Sequence, residues 1–237
     1  DSLRNRGVPC QEELPRMIKS SSWLPSSDIP ALDGIRAFAV TTVIGYHGGW
    51  PGFSGGGFGV DLFFVLSGFL ITWLLIREKA KHGRVSLRNF YMRRVLRIVP
   101  AYLVFLVGYA VLCVWIFRDL HPRLLESTLF AATYTTNVAF SWLNRDVLQA
   151  HTWSLSMEEQ FYLAYPAFVA FCSRSTVVRV TMLLLVIAPV WRVMLFLGGV
   201  DAMNPTRIGY GPDTSFDSIL WVALIAHVWT SDLRVRL

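Results

Sequence analysis

Residues 59–76 read GVDLFFVLSGFLITWLLI, a run in which Asp61 is the single charged residue. As an α-helix this run is about 27 Å long, close to the hydrocarbon thickness of a bilayer. Its apolar residues form an unbroken block with no polar face, which a water-exposed helix or half-buried strand would need. Comparable blocks recur at 32–50, 101–117, 157–172, 180–199 and 215–230. The composition agrees, with 54% hydrophobic and only 16% charged residues. The expected fold is all-α, a polytopic transmembrane helix bundle. The opening residues lack the basic, apolar and small-residue pattern of a leader, and nothing there predicts cleavage.

Charge orients the bundle. Arg77, Lys79, Lys81, Arg84, Arg88, Arg93, Arg94 and Arg97 face Glu78 alone between positions 77 and 97, within a net charge of +6. Basic loops stay on the cytoplasmic side, so this stretch is expected there, with the N-terminus on the same side. Nucleic acid is a poor partner for such charge, because it sits between two spanning blocks and lies against lipid. Residues 124–140, LLESTLFAATYTTNVAF, carry Glu126, Ser127, Thr128, Thr133, Thr135, Thr136 and Asn137 and would be costly to expose to lipid. They are read as re-entrant or buried. The count is then about six spanning helices plus one partial segment, with positive charge on one side throughout. Residues 1–30, with Pro9, Pro15, Pro25 and Pro30, read as a polar cytoplasmic extension, and 31–237 as the membrane domain. Cys10, Cys113 and Cys172 have no metal-ligand spacing, and no metal or bound cofactor is expected.

Ionisable groups inside apolar helices mark candidate sites. Asp33 and Arg36 lie three residues apart on one face at the start of the first helix, placed to pair. His47 follows about three turns later, near the opposite surface. The glycine-rich stretch GGWPGFSGGGFGVD lets the chain turn tightly and bring Asp61 back toward His47. Taken singly, Asp33 reads as a cap, Arg36 as a snorkelling cation and His47 as a wet interfacial group.

Four ordered motifs carry a family resemblance: ALDGIRAFAV…YHGG, GGFGVDLFFVLSGFLIT, RVSLRNFYMRRVLRIVPAY and HTWSLSMEEQFYLAYP, with a weaker match at FDSILW. Together they resemble the acyltransferase-3 family of integral membrane proteins. The resemblance implies a membrane O-acyltransferase that moves an acyl group, often acetyl, from cytoplasmic acyl-CoA to a hydroxyl of a carbohydrate or other cell-envelope acceptor. It implies the bacterial inner membrane as location, and a domain of about ten helices of which this chain is the N-terminal portion.

The chemistry of the residues fits that implication. Transfer to a hydroxyl needs a base near neutral pH, and His47 is the candidate, at the position of the family's histidine. Asp61 or Glu158 is expected to orient its second nitrogen. In HTWSLSMEEQFY, Ser156 and Glu159 have the spacing of a capping box, which leaves Glu158 and His151 as the functional candidates. Trp153 and Tyr162 read as interfacial aromatics or as a sugar platform, and Pro166 as a kink beside a cavity. Arg94 and Arg97, with Arg93 beside them and Arg36 reaching the same mouth, are expected to dock the phosphates of acyl-CoA. Topology alone also accounts for basic residues there. Ser67 reads as a small packing residue with no base beside it, favouring direct transfer over an acyl-serine. Arg192 reads as snorkelling or cavity-facing, while Asp213 and Asp217 suit a helix N-terminus, Asp217 being the better acceptor-cavity candidate. The competing class is a transporter or sensor that uses Asp33, Arg36 and His47 as a proton relay, which leaves the combined motif set without an explanation.

Overall fold

A computed structural model describes residues 30–116 and 121–235. The extension expected over 1–30 lies, apart from Pro30, outside the described residues, as does Cys10. Among the described residues every regular element is helical: α1 (Pro30–His47), α2 (Gly57–His82), α3 (Leu87–Ile116), α4 (His121–Ala132), α5 (Thr136–Ser141), α6 (Trp153–Phe171), α7 (Arg174–Leu197), α8 (Val200–Met203), α9 (Thr206–Tyr210), α10 (Pro212–Ser215) and α11 (Asp217–Val235). Of these, α2, α3 and α7 are long and apolar enough to cross a membrane by themselves. The chain is an all-α integral membrane domain.

Helix α2 is the central element, with α1, α6 and α11 packed against it. Glycines set the closeness. A Cβ at Gly59 would fall 2.6 Å from the Ala39 carbonyl of α1, and one at Gly68 would fall 2.6 Å from the Ile219 carbonyl of α11. Small residues let membrane helices approach until their backbones touch, where dispersion replaces the missing hydrophobic drive. Phe64, Ile71, Leu75, Met157, Phe161 and Ile219 fill the core between α2, α6 and α11.

Polar ties show which helix ends lie together. Lys79 Nζ, near the end of α2, donates to the carbonyls of Val169 at 2.6 Å and Cys172 at 3.0 Å, satisfying the last turn of α6. Arg174 at the start of α7 donates to the His227 carbonyl and to Thr230 Oγ1 in the C-terminal half of α11. At the other end, Trp191 of α7 reaches Asp213, just before α11 begins. The bundle thus has a Lys79–Arg174 end and an opposite end, toward which α1 delivers His47.

Two expectations are adjusted. The basic stretch 77–97 is not an extended loop: α2 runs to His82, Gly83 closes it at φ 70°, and α3 starts at Leu87. Most of the arginines are therefore helical. Residues 124–140 do break as a partial segment, at Thr133–Thr135, with Tyr134 at φ 53°. Its polar groups are satisfied internally: Asn137 and Gln160 exchange amide bonds at 2.9 and 3.0 Å, and Thr136 meets Thr152 at 2.9 Å. Internal satisfaction is what non-regular backbone at membrane depth requires.

Candidate active site

His47 ends α1, and its Nδ1 lies 2.9 Å from the Val43 carbonyl one turn back. A carbonyl only accepts, so Nδ1 carries a proton, and in the neutral imidazole Nε2 is then the nitrogen with the lone pair. The ring is exposed. This corrects the expected orienting group: the backbone of Val43, not Asp61 or Glu158, holds the second nitrogen. Among the described residues the Asp61 carboxylate has no hydrogen-bond or ion-pair partner, and it stands exposed one turn into α2. The glycine-rich turn folds down onto α1, since a Cβ at Gly45 would lie 2.6 Å from the Phe53 ring and one at Gly56 2.5 Å from the Thr42 carbonyl.

His151 joins His47 at this end. Its ring meets the edge of Phe105 with centroids 5.5 Å apart. Desolvation, and then repulsion from the nearby His47, lower its pKa from the usual 6.5. It is therefore held neutral at neutral pH. Trp153 forms a floor with Phe64 and Tyr210, the Tyr210 ring centroid lying 4.6 Å away.

Glu158 lies deeper. Ser67 donates to its Oε1 at 3.0 Å and Tyr162 to its Oε2 at 3.2 Å. Arg94 lies over the Tyr162 ring, 3.4 Å from its centroid, and faces both Glu158 and Glu159 electrostatically. Three helices thus build one half-buried polar cluster, from Ser67 on α2, Arg94 on α3, and Glu158, Glu159 and Tyr162 on α6. Two readings change here. Ser67 is the donor that fixes a carboxylate and not only a packing residue. The capping box does not form, because α6 begins at Trp153 and Ser156 Oγ donates back to the Thr152 carbonyl at 2.9 Å. Glu159, freed of that role, keeps a buried oxygen without a hydrogen bond.

The remaining candidates separate by position. Arg36 pairs with Asp33 at 2.8 Å on the first turns of α1. Arg93 and Arg97 are exposed on α3, while Arg94 alone turns inward. Arg192 does not snorkel; it pairs with Asp217. Asp213 belongs to its own short helix, α10, and accepts Arg207 Nη1 at 2.9 Å, Trp142 at 3.2 Å and Trp191 at 2.8 Å. Burial pushes its carboxyl up, but these donors and the Arg207 charge outweigh burial and hold it below 3.8.

A family model described as an acyltransferase domain matches residues 29–225. The chain belongs to the acyltransferase-3 family. Among its relatives, peptidoglycan O-acetyltransferase OatA of Listeria monocytogenes is 33% identical over 214 residues, covering 85% of this chain and 34% of the relative. O-acetyltransferase OatA of Staphylococcus aureus is 34% identical over 214 residues, covering 85% and 35% respectively. The chain thus spans about a third of the length of these relatives. No solved structure matches it.

Within this acyltransferase-3 chain, sequence reasoning overlooked Tyr210, Arg207, Gln160 and His227. Three act through a long-range partner, Tyr210 on Trp153, Gln160 on Asn137 and His227 on the Tyr165 hydroxyl at 3.1 Å, and Arg207 acts on Asp213 six residues on, outside helical spacing. One sequence signal pointed to His227, an imidazole inside an apolar block.

Proposed function

We propose that this chain is the membrane domain of an O-acetyltransferase that moves acetyl from acyl-CoA to a hydroxyl of peptidoglycan or a related cell-envelope carbohydrate. The observation that carries the reading is the His47 imidazole, its Nδ1 proton given to Val43 and its Nε2 lone pair open at the bundle end. In the proposed step, Nε2 takes the acceptor hydroxyl proton as that oxygen bonds to the thioester carbonyl carbon. The C–S bond breaks, and the departing CoA sulfur recovers the proton from Nε2–H. His151, kept neutral beside it, adds no competing positive charge. Trp153 and Tyr210 offer a sugar ring an aromatic floor on the same side.

The names of the relatives support acetyl as the group and peptidoglycan as the acceptor. In this reading the N-terminus and the α2–α3 turn are cytoplasmic in the bacterial inner membrane, and acyl-CoA enters there past Arg93 and Arg97, whose exposed guanidinium groups suit its phosphates. The pantetheine arm threads between helices toward His47, and Arg94 anchors the half-buried cluster it passes.

The test uses the full-length protein in membranes with labelled acetyl-CoA and a cell-envelope glycan fraction, comparing wild type with His47→Ala. The expected result is base-labile ester on the glycan in wild type and none in the correctly inserted variant. Equal label in both would move the base elsewhere. No label in either, with CoA intact across several acceptors, would favour the transporter or sensor class.

A further inference from the structure

A cavity of about 350 Å³ opens between α6, α7 and α11, apart from both His47 and Glu158. Its walls are apolar: Phe161 and Phe168 on α6, Leu184 and Ile187 on α7, and Leu220 on α11. Tyr165 also lines it, and the hydroxyl of that residue is engaged with His227. The cavity runs along the bundle axis, since Phe161 to Phe168 covers about 10 Å of helix. Asp213 and Asp217 mark the end of the cavity on the His47 side.

That polar end is incompletely satisfied. Asp217 is 7% exposed, and its Oδ2 is held by Arg192. Its Oδ1 is buried with no hydrogen-bond partner. A buried carboxylate oxygen in this position calls for a donor. Asp213 offers no competing demand, its oxygens being bound by Arg207 and the two tryptophans. With each carboxylate already matched by an arginine, an ammonium finds no uncompensated negative charge, and a phosphate meets cations that are engaged and an oxygen that repels it. An uncharged hydroxyl fits. The cavity is open on the α7 side, where its lining residues Leu184 and Ile187 are themselves exposed to the surroundings. In a membrane those surroundings are lipid chains.

We infer that this cavity binds one hydrocarbon chain of a neutral glycerolipid from the leaflet on the His47 side, with a head-group hydroxyl donating to Asp217 Oδ1. The site stands whichever acceptor the enzyme modifies.

The test uses the full-length protein in nanodiscs containing a diacylglycerol with a photoactivatable group in one chain. After irradiation, adducts should concentrate on the α6 segment from Phe161 to Phe168 and on α7 around Leu184. Unlabelled diacylglycerol should compete, and phosphatidylglycerol should compete about tenfold less well. Ala164→Trp, which fills the cavity from α6, should lower labelling there by about tenfold, and Asp217→Asn should weaken it several-fold. Leu184→Trp, on the facing wall, repeats the test should Ala164→Trp fail to fold. Label spread evenly over the lipid-facing sides of α3 and α7, label indifferent to both tryptophan variants, or no label because another helix of the protein occupies the groove would each overturn the site. Equal competition by phosphatidylglycerol would overturn the assignment of a neutral head.

Discussion

His47 stands at the exposed end of α1 with a single hydrogen bond to its own helix, whereas Glu158 lies inside the bundle under Ser67, Tyr162 and Arg94 from three helices. Both are ionisable groups in membrane helices, yet one keeps a lone pair available and the other has both oxygens committed. A group that must exchange protons needs the first arrangement; a group that holds helices in register, or balances a cation, needs the second. Activity and stability should therefore separate between the two positions.

The largest effect expected is on chemistry. His47→Ala should lower ester formation by about 10²–10⁴-fold, the usual worth of a positioned general base. Its melting temperature in detergent should match wild type, because the lost bond lies within one turn and the ring is exposed. Glu158→Ala should behave in the opposite order, with a loss of stability of about 1–3 kcal/mol as two hydroxyls lose their acceptor. Glu158→Gln, which retains one acceptor oxygen, should lose less. If His47→Ala proved as destabilising as Glu158→Ala, the contrast would be false.

A smaller perturbation sharpens the same contrast through backbone contact. Gly68 adjoins Ser67, and a Cβ there would stand 2.6 Å from the Ile219 carbonyl. Gly68→Ala should push α11 away from α2 and cost about 1–3 kcal/mol, as overpacking does. Gly108→Ala on α3, where a Cβ meets nothing within 4 Å, is the control and should be neutral or stabilising. Equal melting temperatures for the two variants would show that the α2–α11 approach is not tight.

How much of this was legible in the sequence follows from the range of the interactions. The α2 block could be read because a helix with no polar face has few places to go, and the α4–α5 break because seven polar side chains cannot face lipid. The Asp33–Arg36 pair was readable as an i, i+3 contact. The Val43 bond of His47 is equally local, but triad logic points to side chains and not to backbone. Ser67 with Glu158, and Arg192 with Asp217, join helices far apart in the chain, and spacing carries no signal for them. The capping box failed for a different reason: Ala150–Thr152 form a 3₁₀ turn that starts α6 at Trp153, ahead of the residue that looked like the cap.

The smallest predicted effect concerns the end of the bundle that carries His47, where acid should loosen a single tie. Asp213 connects α7, α9 and the end of α5 through Trp191, Arg207 and Trp142. Its folded-state pKa lies below 3.8, so the stability it contributes is fully present above that value and is lost as pH falls through the lower folded one. Intrinsic fluorescence should therefore change reversibly below pH 3.8, and the change should shrink in Trp191→Phe and disappear in Asp213→Asn. Glu158 and its partners, on other helices and deeper in the bundle, should not follow that transition. A transition centred above 3.8, or one that survives in Asp213→Asn, would mean that some other group releases this end. The separation between an adjustable His47 end and a fixed Glu158 interior would then need a different physical basis.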